Sequence, residues 1–122
     1  MVNLFYGGAL LKITYVNNKV KKFFTDYGKM QKELPFDWVK AIKKHMDRLE
    51  AAECFGDFLK LGLGKPEQLT GYEKIRYSLH VAPHVRLIIE PNGTQDTVMI
   101  CSEVEVEGVC DYHGDKENWY IP

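Results

Sequence analysis

No apolar run in this chain approaches the roughly 20 residues that cross a bilayer, so no membrane-spanning helix is expected. The opening residues 1–11 are mildly apolar. They lack the basic start and the small-residue cleavage site of a secretion signal. The expectation is a short strand or an extension ahead of the domain, in a cytoplasmic protein with no membrane partner. Cysteine is scarce as well. Cys54, Cys101 and Cys110 make an odd count without CxxC spacing, which argues against a disulfide framework and against a zinc site. They read as small buried apolar residues of a reducing compartment. Repeats, linkers and low-complexity tracts are absent too, so residues 1–122 are expected to form one domain.

Net charge is also nearly missing, at −1, but the balance hides an asymmetry. Residues 12–48 hold ten lysines and arginines against four acids, a surplus of +6, and the rest of the chain holds six against thirteen, or −7. A basic half of this kind suits nucleic acid or an acidic partner protein, although lysine-rich solvated helix faces look the same. At 45% hydrophobic and 27% charged, the 122 residues have the composition of an ordinary globular protein. A chain of this length buries roughly two-thirds of its unfolded surface.

Residues 12–16 alternate between polar and apolar, as a first strand would. Asn17 and Asn18 offer a helix cap. Val20, Phe23, Phe24, Tyr27, Met30 and Leu34 then follow at helical spacing, with Gly28 weakening that helix without ending it. Pro35 suits the first turn of a second helix, whose buried stripe is Trp38/Val39, Ile42, Met46 and Leu49. His45 lies at the edge of that stripe and reads as a helix-face histidine with no catalytic role.

A short helical turn over 55–61 and a glycine-bearing break follow. The period then changes to two. Ile75, Tyr77, Leu79 and Val81 alternate with Arg76, Ser78 and His80, and Val85, Leu87 and Ile89 alternate with Arg86, Ile88 and Glu90. Turn signals at 82–84 and 91–93 separate the strands. Residues 98–101 and 104–109 supply a further strand or two. The class is therefore α+β: an N-terminal strand, a two-helix hairpin, then three or four antiparallel strands covered on one face by the helices.

Arg76, Ser78 and His80 share one face of their strand. In a hairpin they can converge with Arg86 on the side away from the helices, with Lys74 just before them. The run Asp111-Tyr112-His113 sets an acid, a phenol and an imidazole where the last strand meets a polar loop, and Asp111 and His113 are expected to join that surface. A cationic surface with one imidazole suits RNA cleavage. The 2′-hydroxyl is deprotonated and attacks phosphorus, the leaving 5′-oxygen is protonated, and a guanidinium meets the phosphorane charge. Other readings stand beside this one. Arg76 can be a cross-strand partner for an acid, Arg86 can pair with Glu90 or Asp111, and His80 and His84 can be surface residues.

Three segments carry a resemblance that covers the chain from Lys12 onward. They are the lysine- and aromatic-rich 17–24; the glycine-bearing 61–71 followed by 77–80 and 85–91, with its Arg86-Leu87-Ile88 strand; and 109–113 with the tail 119–122. Taken in order they resemble the RelE/ParE toxin superfamily, close to HigB-like toxins and plasmid-maintenance killer proteins. The resemblance implies a toxin of a type II toxin–antitoxin system: an mRNA endoribonuclease that acts on the ribosome without a metal or other cofactor. A cognate antitoxin, commonly a helix-turn-helix protein, would hold it inactive.

By the same resemblance Arg86 binds the scissile phosphate, and Asp111, Tyr112 and His113 lie at the catalytic site. Lys74, Arg76 and His80 are then the RNA-steering residues. Two positions depart from the pattern. Glu67-Gln68 stand where many relatives have a histidine, and His80 stands where they often have arginine. Two rival readings remain: a ParE-like toxin that poisons gyrase without catalysis, and a relative that has lost cleavage but still binds an antitoxin-like partner.

Overall fold

The computed structural model describes residues 10–113 and 116–121, and of residues 112, 113, 116 and 117 only the backbone. Strand β1, Lys12–Tyr15, leads into helix α1, Asn18–Phe24. The Asn17 side chain caps that helix by accepting the Val20 N–H at 2.9 Å. The single helix expected up to Leu34 is in fact two. Thr25 turns its hydroxyl back to the Lys21 carbonyl at 2.7 Å, and Asp26 caps a new start by accepting the Lys29 N–H at 3.1 Å. Helix α2, Tyr27–Gln31, follows, with Gly28 inside it. The Thr-Asp pair therefore breaks the helix, because side chains that compete for backbone groups favour caps over helix interiors.

Pro35 immediately precedes α3, Phe36–Ala51. Val39, Ile42, Met46 and Leu49 are buried as the spacing predicts, and Lys40, Lys43 and Lys44 are exposed. A short α4, Phe55–Lys60, completes the helices. No helix among the described residues is long and apolar enough to cross a membrane.

Among the described residues the sheet has six strands, so the α+β class holds with a larger, mixed sheet than expected. The remaining strands are β2, Glu67–Leu69; β3, Arg76–Ala82; β4, Val85–Pro91; β5, Glu103–His113; and β6, Lys116–Ile121. The order is β1-β5-β4-β3-β2. β1 runs parallel to the first half of β5, and β6 pairs antiparallel with its second half. Residues 98–101, expected as a strand, instead contain a 3₁₀ turn, Val98–Ile100, with Ile100 76% exposed. A short apolar run does not by itself distinguish a strand from a turn.

The helix-covered face of the sheet carries Leu79, Val81, Val85, Leu87, Ile89, Val104, Val106 and Val109 in the main core. The other face holds a smaller cluster of Leu69, Ile88 and Cys110, packed by Tyr72 and Trp119. One irregularity in β5 decides which face its last residues occupy. Ile88 pairs with Gly108 and Ile89 with Val106, so Glu107 is an extra residue without an opposite number. This bulge reverses the alternation of β5 beyond it. Gly108 sits at φ 141°, and a Cβ there would collide with the Ile121 carbonyl. Only glycine suits that position.

Candidate functional site

The β3–β4 hairpin places His80 directly opposite Arg86. Both positions lie on the face away from the helices, since Arg86 pairs with Cys110 of the outer cluster. Arg86 Nη1 donates to the carbonyls of Ala82 and Val85, both at 3.0 Å. The guanidinium is thus held over its own turn, and a guanidinium has five N–H groups in all. The His80 imidazole is pushed below its usual pKa by partial burial, then by Arg86 and Lys65 nearby. His84 occupies the left-handed region at φ 64° in the turn itself. One arginine and one imidazole therefore meet at this end of the sheet.

Asp111 arrives at the same end of the sheet, opposite Val85, but on the other face. Val85 and Val109 belong to the helix-side core. Asp111 Oδ2 there accepts the Tyr120 hydroxyl over 3.5 Å, and the Tyr120 ring packs edge-on against Trp38 at 5.2 Å. The expected convergence of Asp111 with Arg86 on one surface is corrected by the bulge at residues 107–108, which shifts the later residues of β5 by one. Tyr112 and His113 end β5 as backbone, and their side chains lie outside the described residues.

Lys74 and Arg76 occupy a different place. Arg76 begins β3 four residues before His80, roughly 13 Å away at the rise of a strand. Its Nε donates to Glu90 Oε2 at 3.0 Å, its Nη2 lies 3.6 Å from Glu107 Oε1, and its guanidinium stacks 4.7 Å from the Tyr72 ring centre. Lys74 Nζ reaches Glu90 at 3.7 Å. These two residues are thus tied to acids, which realises the cross-strand reading of Arg76.

Burial is the first cause that pushes the Glu107 carboxyl up to about 8, followed by the hydrogen bond with Glu105 and the charges of Glu90 and Glu105; Arg76 opposes them. A polar groove of about 900 Å³ opens beside this network, lined by Thr14, Tyr72, Lys74, Glu90, Asn92 and Glu105 among others. Glu103, Glu105 and Glu107 alternate with valines and mark one acidic face in the sequence, but their meeting with Glu90 comes only from the pairing of β4 with β5. The outer face thus has two separate ends, one cationic and one rich in carboxylates. Neither a protein-family model, nor a curated protein, nor a solved structure matches the chain.

Proposed function

We propose that the chain is a RelE/ParE-type toxin that cleaves mRNA on the ribosome and is restrained by an antitoxin partner. The observation that carries this reading is the cross-strand pair His80–Arg86 at the hairpin end of the sheet, where the strand ending in Tyr112 and His113 also terminates. Two groups distant in sequence from that strand end, one always cationic and one an imidazole, sit together on a face free of helices.

In this reading Arg86 grips the scissile phosphate and meets the charge of the phosphorane. His113 serves as general acid or base, Tyr112 stacks on a base or assists proton transfer, and His80 steers the RNA. Asp111 acts indirectly, by fixing the end of β5 through Tyr120. The exposed lysines Lys19, Lys21, Lys22, Lys29, Lys32, Lys40, Lys43 and Lys44 supply a phosphate-binding surface for ribosomal RNA.

A second reading, a fold that binds an antitoxin-like partner without cleaving, draws support from Arg76, which Glu90 and Glu107 already engage. Inducible expression with mapping of mRNA 5′ ends separates the two. Wild type should arrest growth and create new ends within coding regions, and Arg86→Ala should lower their yield at least about a hundredfold. Growth arrest without new ends would overturn the nuclease reading and direct attention to gyrase supercoiling.

A further inference from the structure

The outer face of the sheet carries a second cluster, away from the Arg86 end. Glu90 and Glu105 are directly opposed across β4 and β5, and Glu107 follows two residues along β5. One carboxylate oxygen from each lies within 4.8 Å of the other two. Like charges directly opposed on neighbouring strands repel unless a counter-charge lies between them. Arg76 supplies part of it, through Glu90 Oε2 and Glu107 Oε1. Lys74 is 78% exposed and its 3.7 Å contact is loose, so it contributes little. Among the described residues, three carboxyl groups thus share one well-placed cation.

Glu107 is the telling member. Its side chain is 7% exposed, and its Oε2 is buried without a hydrogen-bond partner. A buried acceptor left unmatched is costly and usually marks a missing proton, water or ion. Alternation along β5 sets Glu107 on the face of Glu105, and the Gly108 bulge leaves it without an opposite residue on β4.

We propose that Glu90, Glu105 and Glu107 form a binding site for a hard divalent cation of the Ca²⁺ or Mn²⁺ class. All the donors are carboxylate oxygens, the set that favours hard cations over zinc or copper. Glu90 and Glu105 also line the groove, so the remaining coordination positions would be open to water. Arg76 remains in place and offsets the surplus negative charge. The site is independent of the nuclease reading, which concerns the other end of the same face.

The test uses the full chain freed of metal with a chelator that is then removed. It is titrated with MnCl2 by electron paramagnetic resonance, and with CaCl2 by thermal unfolding. One Mn²⁺ per chain should bind with a dissociation constant on the order of 0.1–1 mM, as at weak carboxylate sites, and Ca²⁺ should raise the melting temperature. Glu107→Gln and the less buried Glu105→Gln should each weaken binding at least about tenfold, and Glu67→Gln should not. A wild-type chain that binds neither ion at about 10 times that concentration overturns the proposal and leaves a proton as the sole occupant. Unchanged Mn²⁺ affinity in both folded variants overturns it as well.

Discussion

Glu107 shows how one residue can set the pH response of a domain. Its carboxyl is pushed up to about 8 from an ordinary 4.5, first by burial. Between those values the folded chain holds a proton that the unfolded chain has released, so the native state loses stability as pH rises through that window. Below 4.5 both states are protonated and the contribution is fully present. In the presence of a chelator, the melting temperature of wild type should therefore fall from about pH 5 to about pH 8. Glu107→Gln, neutral throughout, should flatten that fall and equal or exceed wild type at the alkaline end. A variant with the same slope as wild type would show that Glu107 is not the titrating group. The bulge that creates this position was not legible beforehand. Gly108 is one glycine within Val-Glu-Val-Glu-Gly-Val-Cys, and the lack of a side chain there is demanded by the Ile121 carbonyl, a contact that exists only once β6 has folded back.

At the scale of elements, caps decide more than periodicity does. The apolar spacing from Val20 to Leu34 is continuous, yet two separate helices form because Asn17 and Asp26 each accept the backbone N–H three residues on. Replacing Asn17 by alanine should cost about 1 kcal/mol in chemical denaturation, and Asp26→Ala a similar amount. No change in either variant would mean that tertiary packing alone places these helices. Strands β3 and β4 were readable because their alternation is strict and turn residues bound them. β1 was readable for the same reason, but its parallel partner was not, since pairing across roughly 90 residues leaves no local trace. β6 was missed because its charged start and aromatic end resemble a tail until β5 offers it an edge. The His80–Arg86 pair followed from hairpin geometry. The position of Asp111 did not, because a single inserted residue upstream moved it to the other face.

Across the whole molecule, His45 ties the helical layer to the sheet. It is 3% exposed, and its Nε2 donates to the His80 carbonyl at 2.6 Å, while the His80 N–H donates to the Gly64 carbonyl at 3.0 Å. A side chain at Gly64 would run into the imidazole ring, so the loop, α3 and β3 meet at this one point. Burial lowers the His45 pKa below 6.5, only partly countered by the bond to His80. The sign is opposite to that of Glu107. Stability from the neutral ring is fully present above pH 6.5 and is lost as pH falls through the lowered value. His45→Gln retains an N–H donor and cannot be protonated in this range, so its unfolding midpoint should hold better than that of wild type as the pH falls below 6.5. An equally steep acid limb in the variant would rule this out. Since His45 bonds to the carbonyl of His80, the same latch fixes the strand that presents His80 to Arg86.

Within the proposed function, Arg86 is the guanidinium available to a phosphodiester, whereas Arg76 is already engaged by Glu90 and Glu107. Arginine side-chain ¹⁵N NMR can observe Arg48, Arg76 and Arg86 separately during titration with a single-stranded RNA made uncleavable by 2′-O-methylation. The Arg86 resonances and the His80 ring should shift together and saturate, and Arg76 should stay still in its contacts with the two carboxylates. Shifts confined to Arg76, or an Arg86 signal unmoved while the RNA binds elsewhere, would contradict this assignment.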